Sequence, residues 1–148
     1  MHSVARRFGA ETLSQVDPAD FFAHWLPGLA DDRAAHFFAE NARVPQMRDA
    51  LARRDAGEYL RLMNASGRSS EQLLRNIQVP GGDDRLARGL ACASALLDGV
   101  GAWRVHGGGF AGGVQALMPC TAFPAYRQAM EARFGPGSCR ELRITGAE

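Results

Sequence analysis

One glycine-rich stretch carries the residue types best suited to ligand chemistry in this 148-residue chain. Residues 107–113 read Gly-Gly-Gly-Phe-Ala-Gly-Gly, so five of the seven positions are glycine. Glycine accepts backbone angles and close approaches that a Cβ forbids, and bare N–H groups can therefore surround an anion or an oxyanion. Strand-like runs at 102–106 and 114–118 flank the stretch. The pattern predicts a strand–loop–strand hairpin whose tip contacts such a ligand.

Two well-known glycine motifs do not fit this stretch. A P-loop needs a Lys after the glycines and a helix that opens from the loop. Here all 17 basic residues are Arg, and the short apolar run that ends at Pro119 favours a strand. The His-Gly-Gly-Gly at 106–109 matches the oxyanion loop of esterases, which also requires G-x-S-x-G and a later His, and neither occurs here. A tight glycine turn that binds no ligand stays open as an alternative.

Composition predicts one domain without a polyanionic or membrane partner. The length suffices for a single hydrophobic core, and the net charge is only +1, with the arginines spread along the chain rather than in a block. No apolar run follows Met1 or approaches the length that spans a bilayer. Cys92, Cys120 and Cys139 lack metal-ligand spacing, which indicates reduced thiols. We expect a cytoplasmic protein that binds neither nucleic acid nor membrane.

Periodicity and capping signals place helices before the glycine stretch. Asp17 followed by Pro18 predicts the start of one helix, and a longer helix is predicted over 31–54. Pro45 inside it predicts a kink or break near 42–44, because proline clashes with the preceding turn. The apolar stripes expected on these two helices are Phe21, Phe22, Trp25 and Leu26, and Phe37, Val44, Met47 and Leu51.

Three shorter helices are predicted next. One covers 56–66, a second begins at a capping box of Ser69 and Gln72 and reaches about Asn76, and a third follows a Pro-Gly-Gly break and ends at Gly99.

The end of the chain predicts one more helix and one more strand. Thr121 is expected to cap a helix that stops at Gly135, and residues 139–144 alternate as a half-buried strand does. Helices followed by a β-β-α-β unit indicate an α+β fold, with an antiparallel sheet and helices on one face. The face expected on this last helix consists of Phe123, Tyr126, Met130 and Phe134.

Several stretches resemble the GHMP family of small-molecule kinases, and within it the galactokinases. Residues 104–113 resemble the family's third motif, R-x-x-G-G-G-F-G-G, with Ala111 where Gly is common and His106 where Thr is common. Residues 33–44 resemble R-A-x-H-x-x-x-E-N-x-R-V of the long galactokinase helix. The other matches are Leu-Met-Asn-Ala-Ser at 62–66, with a further Ser at 69 or 70, and Val-Pro at 79–80.

The resemblance implies a single unit over 1–148 with the ferredoxin-like fold of a GHMP kinase C-terminal domain. The family reaction transfers the γ-phosphoryl group of ATP, with Mg²⁺, to the anomeric hydroxyl of galactose. The sugar-binding segment G-R-x-N-x-x-G-E-H-x-D-Y and the phosphate loop G-L-S-S-S-A do not occur in this sequence. The resemblance therefore implies that the catalytic Asp, its partner Arg and the ATP loop belong to an N-terminal half absent from this chain. We expect that half as a partner, and no kinase activity from the 148 residues alone.

The glycine loop is then expected to lie beside phosphate and sugar, with no catalytic side chain and no metal ligand of its own. Phe110 is expected to anchor it by burying its ring, and Arg104 to serve in the sheet or in a salt bridge. The candidate loop residues are His106, Gly107, Gly108, Gly109, Phe110, Ala111, Gly112 and Gly113.

Other polar residues of the matched helices are expected to be structural. His36, Glu40 and Asn41 are assigned to packing and surface pairs, and Ser66 and Ser69 to helix-end caps. An alternative function is a free-standing binding or regulatory module that kept this fold and lost catalysis. An apolar face left uncovered would then favour self-association.

Overall fold

A computed structural model describes residues 1–78, 81–110 and 112–142. These residues form a mixed α+β fold that is mostly helical, with one small antiparallel sheet of two strands. A 3₁₀ turn at Leu13–Gln15 and a π turn at Ser70–Leu74 interrupt the regular elements. The helices are α1 His2–Arg7, α2 Pro18–Ala23, α3 Leu29–Ala52, α4 Ala56–Ser69, α5 Arg85–Leu97 and α6 Phe123–Phe134, and the strands are β1 Ala102–His106 and β2 Gly113–Leu117.

The start of α2 confirms the predicted cap, whereas the predicted apolar stripe is wrong. The Asp17 carboxylate accepts the N–H groups of Ala19 and Asp20 at 2.7 and 3.2 Å. Phe21 is fully buried against the ring of Phe38. Since α2 already ends at Ala23, three expected members of the stripe leave the helical register or turn outward. Those three are exposed: Phe22, Trp25 and Leu26.

The long helix α3 is continuous through Pro45, so of the predicted kink or break the break does not occur. Proline removes one helical N–H bond, to the carbonyl of Asn41, and Asn41 is exposed, so water can solvate that carbonyl. The apolar face predicted for this half of the helix is also wrong, because Val44 and Leu51 are 65% and 60% exposed.

The capping box predicted at Ser69 is wrong as well. Helix α4 runs on to Ser69 and continues into the π turn, so the Ser69 backbone is helical and needs no cap. Arg75 ends this run with a φ of +55°, in the left-handed region. The helical run therefore stops just before Asn76.

The hairpin confirms the predicted strand–loop–strand unit. β1 and β2 pair antiparallel, with Ala102 opposite Leu117 and His106 opposite Gly113. One face of the sheet packs on α5 and α6. The side chains on that face are Trp103, Val105, Val114 and Ala116, and those they meet on the helices include Leu86, Ala93, Leu97, Tyr126 and Met130.

Helix α4 closes the outer edge of β1. The Asn64 side chain accepts the N–H of Trp103 at 2.9 Å and donates to the carbonyl of Gly101 at 3.2 Å. Gly67 allows the close approach, since a Cβ there would lie 2.8 Å from the Trp103 carbonyl oxygen.

The last helix carries the predicted face, with Tyr126 and Met130 buried. Its N-cap is Ala122 rather than Thr121, so the predicted cap is wrong. Residues 139–142 form no strand, and Leu142 is 85% exposed. Alternation produces a strand only where an edge lies alongside to pair with. The predicted strand also includes residues 143–144, which lie outside the described residues.

No helix in the described part of the chain combines the length and apolar character that a bilayer crossing requires.

Candidate functional site

The glycine loop lies at the exposed tip of the hairpin. It is neither buried in the core nor the opening of a helix. His106, Gly107 and Gly108 are exposed, and Gly109 is half-buried. Gly107 and Gly109 have φ angles of +75° and +82°, which glycine adopts without the steric cost of a Cβ. The loop conformation therefore depends on the glycines that the sequence singled out.

Asn76, which lies just after the π turn, holds this loop. Its side-chain Nδ2 donates to the carbonyl of Gly108 at 3.2 Å, and its backbone carbonyl accepts the N–H of Phe110 at 2.6 Å. Both peptide groups that flank Gly109 in the chain are thus fixed by one residue. The two clamp bonds position the hairpin tip against the body of the domain.

The prediction that Phe110 anchors the loop by burying its ring is wrong. Its ring is 44% exposed and does not bury itself, whereas its backbone N–H makes the clamp bond. Phe110 has a φ of +59°, a conformation that costs a residue with a side chain about 1–2 kcal/mol. The clamp from Asn76 stabilises this strained residue. The Phe110 N–H is consequently not free to bind a ligand.

Two amides still available at the tip are those of Gly107 and Gly108. Their N–H groups donate to no acceptor among the described residues, and both residues are exposed. Gly112 is exposed too, and its Cα faces the His106 carbonyl so closely that an added Cβ would lie 2.7 Å from that oxygen. Ala111 lies outside the described residues. Two adjacent N–H groups can bind an anion as the backbone concavities of phosphate sites do.

One polar atom beside the loop has no partner. Asn76 is only 4% exposed, and its buried Oδ1 atom accepts no hydrogen bond within the described residues. Leaving such an acceptor unpaired costs about 1–3 kcal/mol. Sequence reasoning missed Asn76, because its role requires two segments that are distant in the chain to meet.

A polar seam joins α3 to α4 behind β1. His36 Nδ1 and the Ser69 hydroxyl are 2.8 Å apart, and the Ser66 hydroxyl donates to Glu40 at 2.7 Å. Glu40 also pairs with Arg43. His36 and Glu40 thus make packing contacts and ion pairs between and along these helices, whereas Ser66 and Ser69 bridge two helices instead of capping their ends.

Positive charge gathers where this seam meets β1. Burial lowers the pKa of His36, and the nearby guanidinium groups of Arg43 and Arg104 lower this pKa further. Burial also lowers the pKa of Arg43, and the guanidinium of Arg104 adds to that lowering. Arg104 donates to the Val105 carbonyl at 3.2 Å and has no acidic partner among the described residues. Of the two roles predicted for Arg104, the place in the sheet is thus confirmed, and no salt bridge forms within the described residues.

Arg104 and His106 share the sheet face that α5 and α6 leave open, because alternate residues of a strand point to the same side. His106 lies at the strand end next to the loop. The site thus combines two free amides with basic side chains on the adjoining face, an arrangement suited to an anionic ligand. The described residues contain no group of three or more His, Cys, Asp or Glu side chains able to hold a metal ion.

No protein family model matches this sequence. The fold and the site together define an α+β domain with an exposed, clamped glycine hairpin.

Proposed function

We propose that this chain is the C-terminal part of a galactokinase-like sugar kinase, in which the glycine hairpin lines one side of the phosphate-handling cleft. The observation that carries the proposal is the exposed pair of amides at Gly107 and Gly108, held by Asn76 in a strand–loop–strand setting. The sequence resemblance of the helices that surround the hairpin supplies the family. Under this proposal the second side of the cleft, with the catalytic carboxylate, comes from a separate N-terminal half.

Phosphoryl transfer depends mainly on positioning and on stabilising charge. ATP would supply the phosphoryl group that passes to the anomeric hydroxyl of the sugar. In this chain the N–H groups of Gly107 and Gly108 would donate to oxygens of that group, and Arg104 would add a positive field on the adjoining face. A preorganised N–H donor in a site closed to water lowers a barrier by about 3–4 kcal/mol.

The residues fit the phosphate better than they fit Mg²⁺. Amide donors suit phosphate oxygens, whereas no cluster of metal-ligand side chains is present in the described part of the chain. Mg²⁺ would have to be held by the phosphates and by the other half, because the amide donors of the loop supply neither a base nor a metal ligand. We therefore expect the chain alone to bind phosphate weakly and to catalyse nothing.

A backbone NMR titration tests the proposal directly. Adding Mg·ATP, inorganic phosphate or galactose 1-phosphate to the ¹⁵N-labelled chain should shift the amide signals of Gly107 and Gly108. The Gly109→Ala variant, which displaces the loop, should lose these shifts, whereas Gly57→Ala on α4 should keep them. Unchanged loop amides with all three probes would contradict the proposal.

A reconstitution assay tests the kinase assignment. The chain should show no galactose-dependent ATP turnover by itself and should gain it when an N-terminal half with the sugar-binding and phosphate-loop segments is fused to it. Binding of phosphate without any gain of turnover in the fusion would instead favour the free-standing binding module.

A further inference from the structure

The two outer edges of the hairpin differ in whether their backbone groups have hydrogen-bond partners. The β1 edge is closed by α4, since Asn64 satisfies both the N–H of Trp103 and the carbonyl of Gly101. Gly67 brings the α4 backbone against the same edge. An uncovered strand edge, by contrast, presents a row of unpaired N–H and C=O groups that can pair with another strand.

The observed register shows which groups the β2 edge presents. Because the N–H of Trp103 points to α4, Trp103 and Ala116 form a pair without mutual hydrogen bonds. In an antiparallel ladder the same holds two residues further, for Val105 and Val114. The backbone N–H and C=O groups of Val114 and Ala116 therefore point away from β1. Among the described residues nothing hydrogen-bonds to them.

Within the described part of the chain, this edge lacks the usual protection against pairing. Natural edge strands carry a charged side chain, a proline or a bulge. β2 is Gly-Val-Gln-Ala-Leu, without charge or proline, and its five residues pair with β1 one to one without a bulge. The strand is therefore ready to accept a further strand along its whole length.

We infer that the occupant is β2 of a second copy of this chain, paired antiparallel about Gln115. In that register Val114 lies opposite Ala116 of the second copy, and Leu117 lies opposite its Gly113. Each larger side chain thus meets a small one, and no like charges face each other. The interface gains four backbone hydrogen bonds, two from each Val114–Ala116 pair.

The twofold axis of this pairing is perpendicular to the sheet, so α5 and α6 of both copies lie on the same face. Val114 and Ala116, which are half-buried in one copy, then join those of the second copy in one apolar layer. On the other face, Leu117 is 42% exposed in one copy and covers the bare backbone of Gly113 in the second. The self-complementary order of large and small residues makes a second copy the matching partner.

A cysteine crosslink tests both the dimer and its register. In the proposed register Gln115 lies opposite Gln115 of the second copy, in a pair without mutual hydrogen bonds. The Cα atoms of such a pair are about 4.5 Å apart, within the reach of a disulfide. In a Cys120→Ser, Cys139→Ser background, Gln115→Cys should therefore form an intermolecular disulfide with a mild oxidant. Gln46→Cys, an exposed glutamine on α3, should not crosslink. Absence of the 115 crosslink in a protein that is dimeric would overturn the inference.

Mass measurement by light scattering provides the second arm. The measured mass of the unmodified chain should be that of a dimer, twice 16.0 kDa. The Gln115→Lys variant should have the mass of a monomer, because the two introduced ammonium groups would face each other across the axis. Gln46→Lys should remain dimeric, and circular dichroism confirms that each variant is folded. A chain that elutes as a monomer, or a dimer that survives Gln115→Lys, overturns the inference.

Discussion

Asn76 and Gly109 are in such close contact that no side chain fits on Gly109. An added Cβ would lie 2.6 Å from the Asn76 Nδ2 and closer still to its carbonyl oxygen. The two hydrogen bonds of Asn76 flank this contact on both sides. Of the glycines in the loop, Gly109 is thus required by packing as well as by its backbone angle.

Alanine substitution at two neighbouring glycines should distinguish the glycine that packing requires from the one that it does not. Gly109→Ala is expected to lower the free energy of unfolding by about 1–3 kcal/mol, because it adds backbone strain and collides with Asn76. Gly108→Ala should change it by less than about 0.5 kcal/mol, since nothing lies within 4 Å of a Cβ there. Chemical denaturation measures both, and equal effects would show that the clamp does not tighten the loop.

The clamp itself predicts a difference between two substitutions of Asn76. Asn76→Ala loses the bond to Gly108 and should cost about 1 kcal/mol, partly offset because the unpaired Oδ1 also disappears. Asn76→Asp places a buried carboxylate against the Gly108 carbonyl and should cost about 3 kcal/mol or more at pH 7.

The Asn76→Asp variant also carries a pH signature. Burial should raise the folded pKa of the introduced carboxyl above its unfolded value, so the loss appears as the pH rises and shrinks as the pH falls from 7 toward about 4. Urea unfolding at several pH values tests this. A constant difference between the Asn76→Asp and Asn76→Ala variants would mean that position 76 reaches water.

Two glycines of α4 predict opposite outcomes. Gly67→Ala should destabilise the protein by about 1–3 kcal/mol, because its Cβ would force α4 away from the Trp103 carbonyl. Gly57→Ala meets only an ordinary 3.7 Å contact and should stabilise the helix by up to about 1 kcal/mol. Thermal denaturation of the two variants checks the prediction, and a stable Gly67→Ala protein would show that α4 does not seal β1.

Acid should weaken the seam between α3 and α4 through His36. Its folded pKa lies below 6.5, first because of burial and then because of Arg43 and Arg104. The unfolded chain therefore binds the proton more readily. The contribution of His36 is complete above pH 6.5 and is lost as the pH falls below it, toward the folded pKa. The slope for one proton is at most about 1.4 kcal/mol per pH unit, and less here because the side chain is only half-buried.

Replacing the imidazole checks this assignment. His36→Asn should remove that part of the pH dependence, whereas His2→Asn, at an exposed residue of α1, should leave it in place. Unfolding free energies measured between about pH 5 and 8, a window chosen around the ordinary pKa of His, decide the matter. A pH dependence that survives in His36→Asn would assign it to another group.

The sequence predicted several of the local elements correctly. Asp17 with Pro18, the hairpin around 107–112 and the apolar face of α6 follow from capping, turn and periodicity rules. Two capping predictions failed although capping is a local signal, at Ser69 and at Thr121. Other failures depended on neighbours. Whether Pro45 breaks α3 depends on the solvation of one carbonyl, and whether 139–142 pairs depends on a strand edge being alongside.

The candidate site divides in the same way. Glycine content alone marked the loop, because freedom from a Cβ is a property of each residue by itself. Only the tertiary structure decided three other features: the clamp by Asn76, the exposure of the Phe110 ring, and the proximity of Arg43 to Arg104. These depend on contacts between segments far apart in the chain, and a one-dimensional pattern carries no information about which distant segments pack together.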